Sequence, residues 1–146
     1  MKKSELRQIY VARQKAIAQE DRLARSEVIA DSFFRSFDLG GIKFLHSFIP
    51  IEKFNEVDTS LIMERVWRDQ PQIQIVVPRV DHETNEMKSL KFSSDTQLVR
   101  SAWEIEEPVH DETVADAEID MVLTPGVCFD RVGHRVGYGK GFYDRF

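Results

Sequence analysis

Four glycines, Gly133, Gly137, Gly139 and Gly141, punctuate the stretch between Asp130 and Asp144, with Arg135 and Lys140 set among them. Without Cβ atoms such a chain takes positive φ and brings its N–H groups close to a ligand. Successive N–H groups aimed into one concavity form an anion nest, and phosphate is its usual occupant. Arg135 adds a forked cation and Lys140 a mobile one. Asp144 supplies a hard oxygen ligand of the kind Mg²⁺ accepts. Phosphate cradle, cations and carboxylate together describe a nucleoside-triphosphate site.

General phosphate motifs do not fit this loop. Reading back from Gly139-Lys140, a Walker A pattern would need glycine at His134 and Ser or Thr at Gly141. A dinucleotide fingerprint starting at Gly137 and Gly139 meets Phe142 where its last glycine belongs. A kinase glycine loop fails likewise, and no H-R-D or D-F-G accompanies it. The full run, P-G-V-C-F-D-x-x-G-x-R-V-G-Y-G-K-G-F-Y-D from Pro125 to Asp144, resembles the signature of the 5-formyltetrahydrofolate cyclo-ligase family. Val136 stands for a usual Leu and Phe142 for a common Tyr. Looser matches are Lys3-x-x-x-Arg7, Glu56-Val57-Asp58-Thr59, Val77-Pro78-Arg79 and Trp103-x-Ile105-x-x-Pro108, so the resemblance spans the chain.

The resemblance implies a ligase with ATP as co-substrate and Mg²⁺ as metal, cyclising 5-formyltetrahydrofolate to 5,10-methenyltetrahydrofolate with release of ADP and phosphate. Lys140 and Arg135 would be catalytic. Lys3, Arg7, Arg135, Gly137, Tyr138, Gly139, Lys140, Gly141, Phe142 and Tyr143 would hold ATP. Glu56, Phe48, Tyr138, Phe142 and Tyr143 would hold the reduced folate, and Asp144 the metal. Each has a plainer reading. Lys3 and Arg7 alone read as a solvated basic helix face; Asp144 could cap or salt-bridge the last helix; the aromatic residues could be core. Glu56 could be a helix-start carboxylate, although a carboxylate suits the N–H edge of an aminopyrimidine ring. A phosphate-binding module without transfer, or an inactive relative, stays open. The family normally runs several dozen residues past the position of Phe146. Residues 1–146 are thus expected to be one C-terminally incomplete cyclo-ligase-like domain, inactive or weakly active.

The elements around this loop must position it. At 146 residues with 42% hydrophobic content the chain suits one domain with a sizeable core. A net charge of −5 argues against nucleic-acid affinity. One cysteine fits a reducing compartment, Cys128 being a small buried side chain. No signal peptide or membrane span is visible, so a cytoplasmic protein, expected as a monomer, follows.

Helical spacing marks residues 4–19, capped by Ser4, with Leu6, Ile9, Tyr10 and Ile17 near one face, then 21–37 with Ala30, Phe33 and Phe37 at core spacing, and 59–69. Strands are expected at 42–49, 73–80, 87–92 and 119–123, the last delivering the glycine loop. Residues 93–118 are mixed and acidic in their second half, read as a solvated connection with a short helix near 114–117. His46, His82, His110 and His134 lack metal spacing and read as structural or exposed, and Asp130 as bonding its own backbone. Alternating strands and helices predict an α/β fold: three layers, a mainly parallel sheet flanked by helices, Rossmann-like, with its ligand beyond the strand C-terminal ends. If Lys3 and Arg7 face the triphosphate, Lys3→Ala/Arg7→Ala weakens ATP binding by calorimetry; an unchanged affinity returns both to the solvated face.

Overall fold

Helix α1 (Lys3–Lys15) opens a chain whose every residue, Met1–Phe146, is described by a computed structural model. Lys2, not Ser4, occupies the N-cap, because the Glu5 carboxylate reaches back to accept the Lys2 amide at 2.9 Å. No residue of α1 is fully buried, and Ile9 is 38% exposed. Helix α2 (Gln19–Ser36) buries Ala30 and Phe33. Phe37, expected in the core, sits at the C-cap with extended backbone and is 52% exposed. Leaving the helix carries it off the 3.6-residue stripe. Helix α3 (Ser60–Asp69) buries Ile62, Met63 and Val66.

The main sheet joins β1 (Phe44–His46), β2 (Gln74–Asp81), β3 (Glu86–Phe92), β6 (Thr113–Val114) and β7 (Met121–Val122) in the order β6-β3-β2-β1-β7. β1 runs parallel to β2 and β7, whereas β3 is antiparallel to β2 and β6. The α/β class holds, but the sheet is mixed and its parallel half is the one that feeds the glycine loop. The antiparallel half follows from a tight turn. Asp81 Oδ1 accepts the amides of Glu83 and Thr84, and Asn85 takes φ 58°, so β3 folds straight back onto β2.

Side chains alternate across a strand, so each face of β2 has its own partners. Ile75 and Val77, with Leu45 and Phe92, join Ala30, Phe33, Ile62, Met63 and Val66 in one core under α2 and α3. His46 and Val76, Pro78 and Ser89 are register partners on the other face. That face looks towards the glycine loop and helix α4 (Phe142–Arg145), which Tyr143 joins to His46.

The acidic connection is more ordered than its charge suggests. Leu98–Arg100 (β4) and Glu106–Pro108 (β5) pair as a two-stranded ribbon, followed by β6 and a 3₁₀ turn at Asp116–Glu118. Arg79 on β2 anchors it, donating to Asp111 Oδ1 at 2.6 Å and to the carbonyls of Pro108 and His110 at 2.5 and 2.6 Å. Its Nε lies 3.7 Å from Glu107, only 8% exposed. Charges read as solvent-facing are thus partly an anchor for one arginine.

No helix is long and apolar enough to cross a membrane. Leu45, with no exposed surface, lies at the centre of the α2–α3 core. Leu45→Ala should lower unfolding free energy by about 2–5 kcal/mol in urea titration; a loss below about 1 kcal/mol would mean that this face is loosely packed.

Candidate active site

Strand β7 ends at Val122, and the chain reaches the glycine loop through a small hairpin, Cys128–Phe129 (β8) with Arg135–Val136 (β9), which sequence reading did not resolve. Asp130 closes the hairpin as expected, its Oδ1 accepting the amides of Val132 and His134 at 2.9 Å. Cys128 is only half-buried. After β9 the chain turns sharply: Gly139 has φ +99° and Gly141 φ +72°. None of the amides from Gly137 to Gly141 donates to a protein acceptor, so these N–H groups remain available to an anion.

Helix α1 holds this loop. Arg7 Nε donates to the Gly137 carbonyl at 2.8 Å, and Gln14 Nε2 to the Tyr138 hydroxyl at 2.8 Å. Gln14 also donates to the Phe54 carbonyl, bringing the 3₁₀ turn Glu52–Phe54 alongside. The Phe54 and Tyr138 rings pack in a tilted arrangement with centroids 4.7 Å apart.

A cavity of about 410 Å³ opens between these parts. Its wall contains every residue singled out from the sequence: Lys3, Arg7, Phe48, Glu56, Arg135 and the whole run Gly137–Asp144. Lys3 and Arg7 therefore face the cavity despite their solvent-face pattern. Ile49, Pro125 and Val136 also line it. The remaining wall residues were not assigned to the site from the sequence: Ile51, Lys53, Phe54, Pro78, Val80, His82, Met87, Trp103 and Ile105. Of these, only Trp103, Ile105 and Pro78 lie in stretches that resemble the family.

Charged groups in the wall are distinct in state. Glu56 is 5% exposed, its Oε2 accepting the Ile51 amide at 2.6 Å. Burial pushes its carboxyl up to about 6, against opposing pulls from the Ile51 amide, the Tyr138 hydroxyl and Arg22. Arg135 donates to the Pro125 carbonyl at 2.8 Å and to Asp144 Oδ1 at 2.6 Å, so the forked cation and the candidate metal ligand are paired with each other. Lys140 is unpaired with any carboxylate and lies 5.5 Å from the Trp103 ring centroid. His46, buried under α4, bridges Ser89 Oγ and Tyr143 Oη at 3.0 Å each, and burial lowers it to about 4, so it is neutral. Burial raises both Tyr138 and Tyr143 well above the ordinary phenol value.

The donors fit one kind of metal site. No cluster of three or more His, Cys, Asp or Glu gathers anywhere. Asp144, 73% exposed on its side chain, is one carboxylate beside a phosphate cradle. That suits Mg²⁺, which is commonly held by one or two carboxylates together with substrate phosphates.

The profile of the 5-formyltetrahydrofolate cyclo-ligase family matches residues 1–146. The chain belongs to this family. A mitochondrial 5-formyltetrahydrofolate cyclo-ligase of Arabidopsis thaliana is 32% identical over 140 residues, covering 88% of this chain and 49% of that protein. The mouse 5-formyltetrahydrofolate cyclo-ligase is 26% identical over 141 residues, covering 92% and 68%. The chain thus spans about half the length of the Arabidopsis relative. Among solved structures, the 5,10-methenyltetrahydrofolate synthetase of Aquifex aeolicus superposes with a TM-score of 0.82 at 31% identity, over 99% of this chain and 71% of that one. The corresponding Mycoplasma pneumoniae synthetase gives 0.76 at 25%, over 100% and 77%.

The state of Glu56 gives a measurable sign. Between about pH 4.5 and 6 the unfolded carboxyl ionises before the buried one, so the folded chain is the more protonated state. Stability is then lost as pH rises through that window, by about 2 kcal/mol at about 1.4 kcal/mol per pKa unit. Glu56→Gln removes this loss. It should be the more stable protein at pH 7 by up to about 2 kcal/mol, with little gain at pH 4.5, in denaturant titrations at both values. A variant less stable than wild type at pH 7 would mean that the carboxylate is held favourably.

Proposed function

We propose that this chain carries the site of an ATP-dependent ligase that cyclises 5-formyltetrahydrofolate to 5,10-methenyltetrahydrofolate, releasing ADP and phosphate. The observation that carries this reading is the one cavity in which free loop amides, unpaired Lys140, basic Lys3 and Arg7, and buried Glu56 share a wall. Family membership over the whole chain supports it.

A formamide carbon is a poor electrophile and its oxygen a poor leaving group. Transfer of the γ-phosphoryl group of ATP to the formyl oxygen removes both obstacles. The neighbouring folate amine then attacks the carbon and loses its proton, and phosphate departs with the former formyl oxygen. Such a transfer needs in-line placement and charge neutralisation more than covalent help. The amides of Gly137, Tyr138, Gly139, Lys140 and Gly141 would cradle the phosphates, with Lys3 and Arg7 neutralising them from α1. Lys140, free of any carboxylate, is the cation best able to follow the moving phosphoryl group. Arg135 would join it on release from Asp144, whose carboxylate would hold Mg²⁺. The metal would supply charge neutralisation at the phosphate oxygens.

Glu56 would accept N–H groups of the aminopyrimidine ring, a pairing that offsets the cost of its burial. Phe48, Tyr138, Phe142 and Tyr143 would flank the flat pterin, with Tyr143 steadied by His46. Residues 1–146 are taken as one cyclo-ligase-like domain, acting as a monomer on small molecules, without nucleic-acid or membrane partners and in the cytoplasm. The net charge of −5 supports the absence of a nucleic-acid partner.

The test is formation of the methenyl chromophore from 5-formyltetrahydrofolate, ATP and Mg²⁺, in wild type and in Lys140→Ala. Loss of one such stabiliser typically costs about 10²–10³-fold in turnover. Lys140 is solvent-exposed, so the variant should keep the wild-type melting temperature. Near-normal turnover in Lys140→Ala would remove the phosphoryl role; no chromophore from wild type would favour the inactive-relative reading over catalysis by this chain.

A further inference from the structure

Only one buried side-chain nitrogen or oxygen in the protein lacks a hydrogen-bond partner: Nε2 of His82. His82 lies in the turn after β2, in the wall of the cavity. Its ring stacks on Trp103 of the β4–β5 ribbon, centroids 4.5 Å apart and planes 26° apart. The ring of Phe142 meets it edge-on at 6.1 Å. The imidazole therefore bridges the ribbon and the end of the glycine loop. A phenyl ring would serve that packing equally well. The nitrogen is the part that packing does not use, and a buried polar atom without a partner is destabilising.

We infer that His82 is a substrate-binding residue, its Nε2–H donating in the occupied cavity to an oxygen of the reduced folate. This rests on the folate reading proposed above. The neighbours favour the folate over the nucleotide, because His82 lies among rings and the apolar Val80 and Met87 rather than among the loop amides. They also favour a donor. Lys53 and Lys140 stand at the same wall and draw anionic or carbonyl oxygens to it. Sequence reading had no means of finding this residue, since a lone histidine after a strand carries no motif.

Two substitutions separate the ring from its nitrogen. His82→Phe keeps the stack and removes the donor; His82→Gln keeps a donor near the position of Nε2. Affinities for 5-formyltetrahydrofolate and, separately, for Mg²⁺-ATP are measured by calorimetry, and ligand-free melting temperatures alongside. His82→Phe should melt no lower than wild type, since an unpartnered polar atom is gone. It should bind 5-formyltetrahydrofolate about 10-fold more weakly, the scale of one lost hydrogen bond, with ATP affinity unchanged. His82→Gln should recover most of the folate affinity. Wild-type folate affinity in His82→Phe, an equal loss for both ligands, or a lowered melting temperature would each overturn the inference. Absence of 5-formyltetrahydrofolate binding by wild type itself would instead remove the folate reading, and the inference with it.

Discussion

Arg7 donating to the carbonyl of Gly137 joins residues 130 positions apart, and the cavity depends on that junction. A Gly137 carbonyl turned towards α1 points the Tyr138 amide of the same trans peptide the other way, and the amides from Gly137 to Gly141 have no protein acceptor. The same contact brings the basic turn of α1 to the rim, where Lys3 shares the wall. Gln14, two helical turns further on, repeats the clamp at Tyr138 and Phe54. An alanine at Gly139 would place its Cβ 3.2 Å from the Arg7 guanidinium carbon, at a φ of +99° that L side chains avoid. Glycine there serves the closeness of the helix as much as the bend of the loop.

Charge is distributed so that one cation of the glycine run stays uncommitted. Arg135 is held by Asp144 and the Pro125 carbonyl, Arg79 by the acidic segment, and Arg7 by Gly137. Lys140 alone within the glycine run makes no ion pair and rests near an aromatic face. A mobile ammonium on a loop between two glycines can follow a phosphoryl group, whereas a forked guanidinium held at two points cannot do so without release. Beneath the loop, neutral His46 ties Tyr143 to Ser89 of the sheet.

The glycine loop and its cations were legible in the sequence because backbone freedom and charge are local properties, and all of them fall within fifteen consecutive positions. The three long helices and the central strands were legible through periodicity. The β4–β5 ribbon was not. Its acidic residues read as solvated because their counter-charge, Arg79, lies on another strand, and Glu107 is buried only where that strand passes. The sheet's antiparallel half depends on an Asx turn at Asp81, which strand periodicity alone does not reveal. Lys3 and Arg7 show the same limit in reverse. Their spacing fits a solvated face, and only the glycine loop across from them makes that face a wall.

The central claim is that the formyl oxygen receives the phosphoryl group within this cavity. Labelling that oxygen with ¹⁸O in 5-formyltetrahydrofolate and turning the substrate over with ATP and Mg²⁺ tests it directly. The account predicts one labelled oxygen in the inorganic phosphate released and none in ADP. Label appearing in water, with unlabelled phosphate, would mean that ATP hydrolysis and ring closure are separate events and would contradict it.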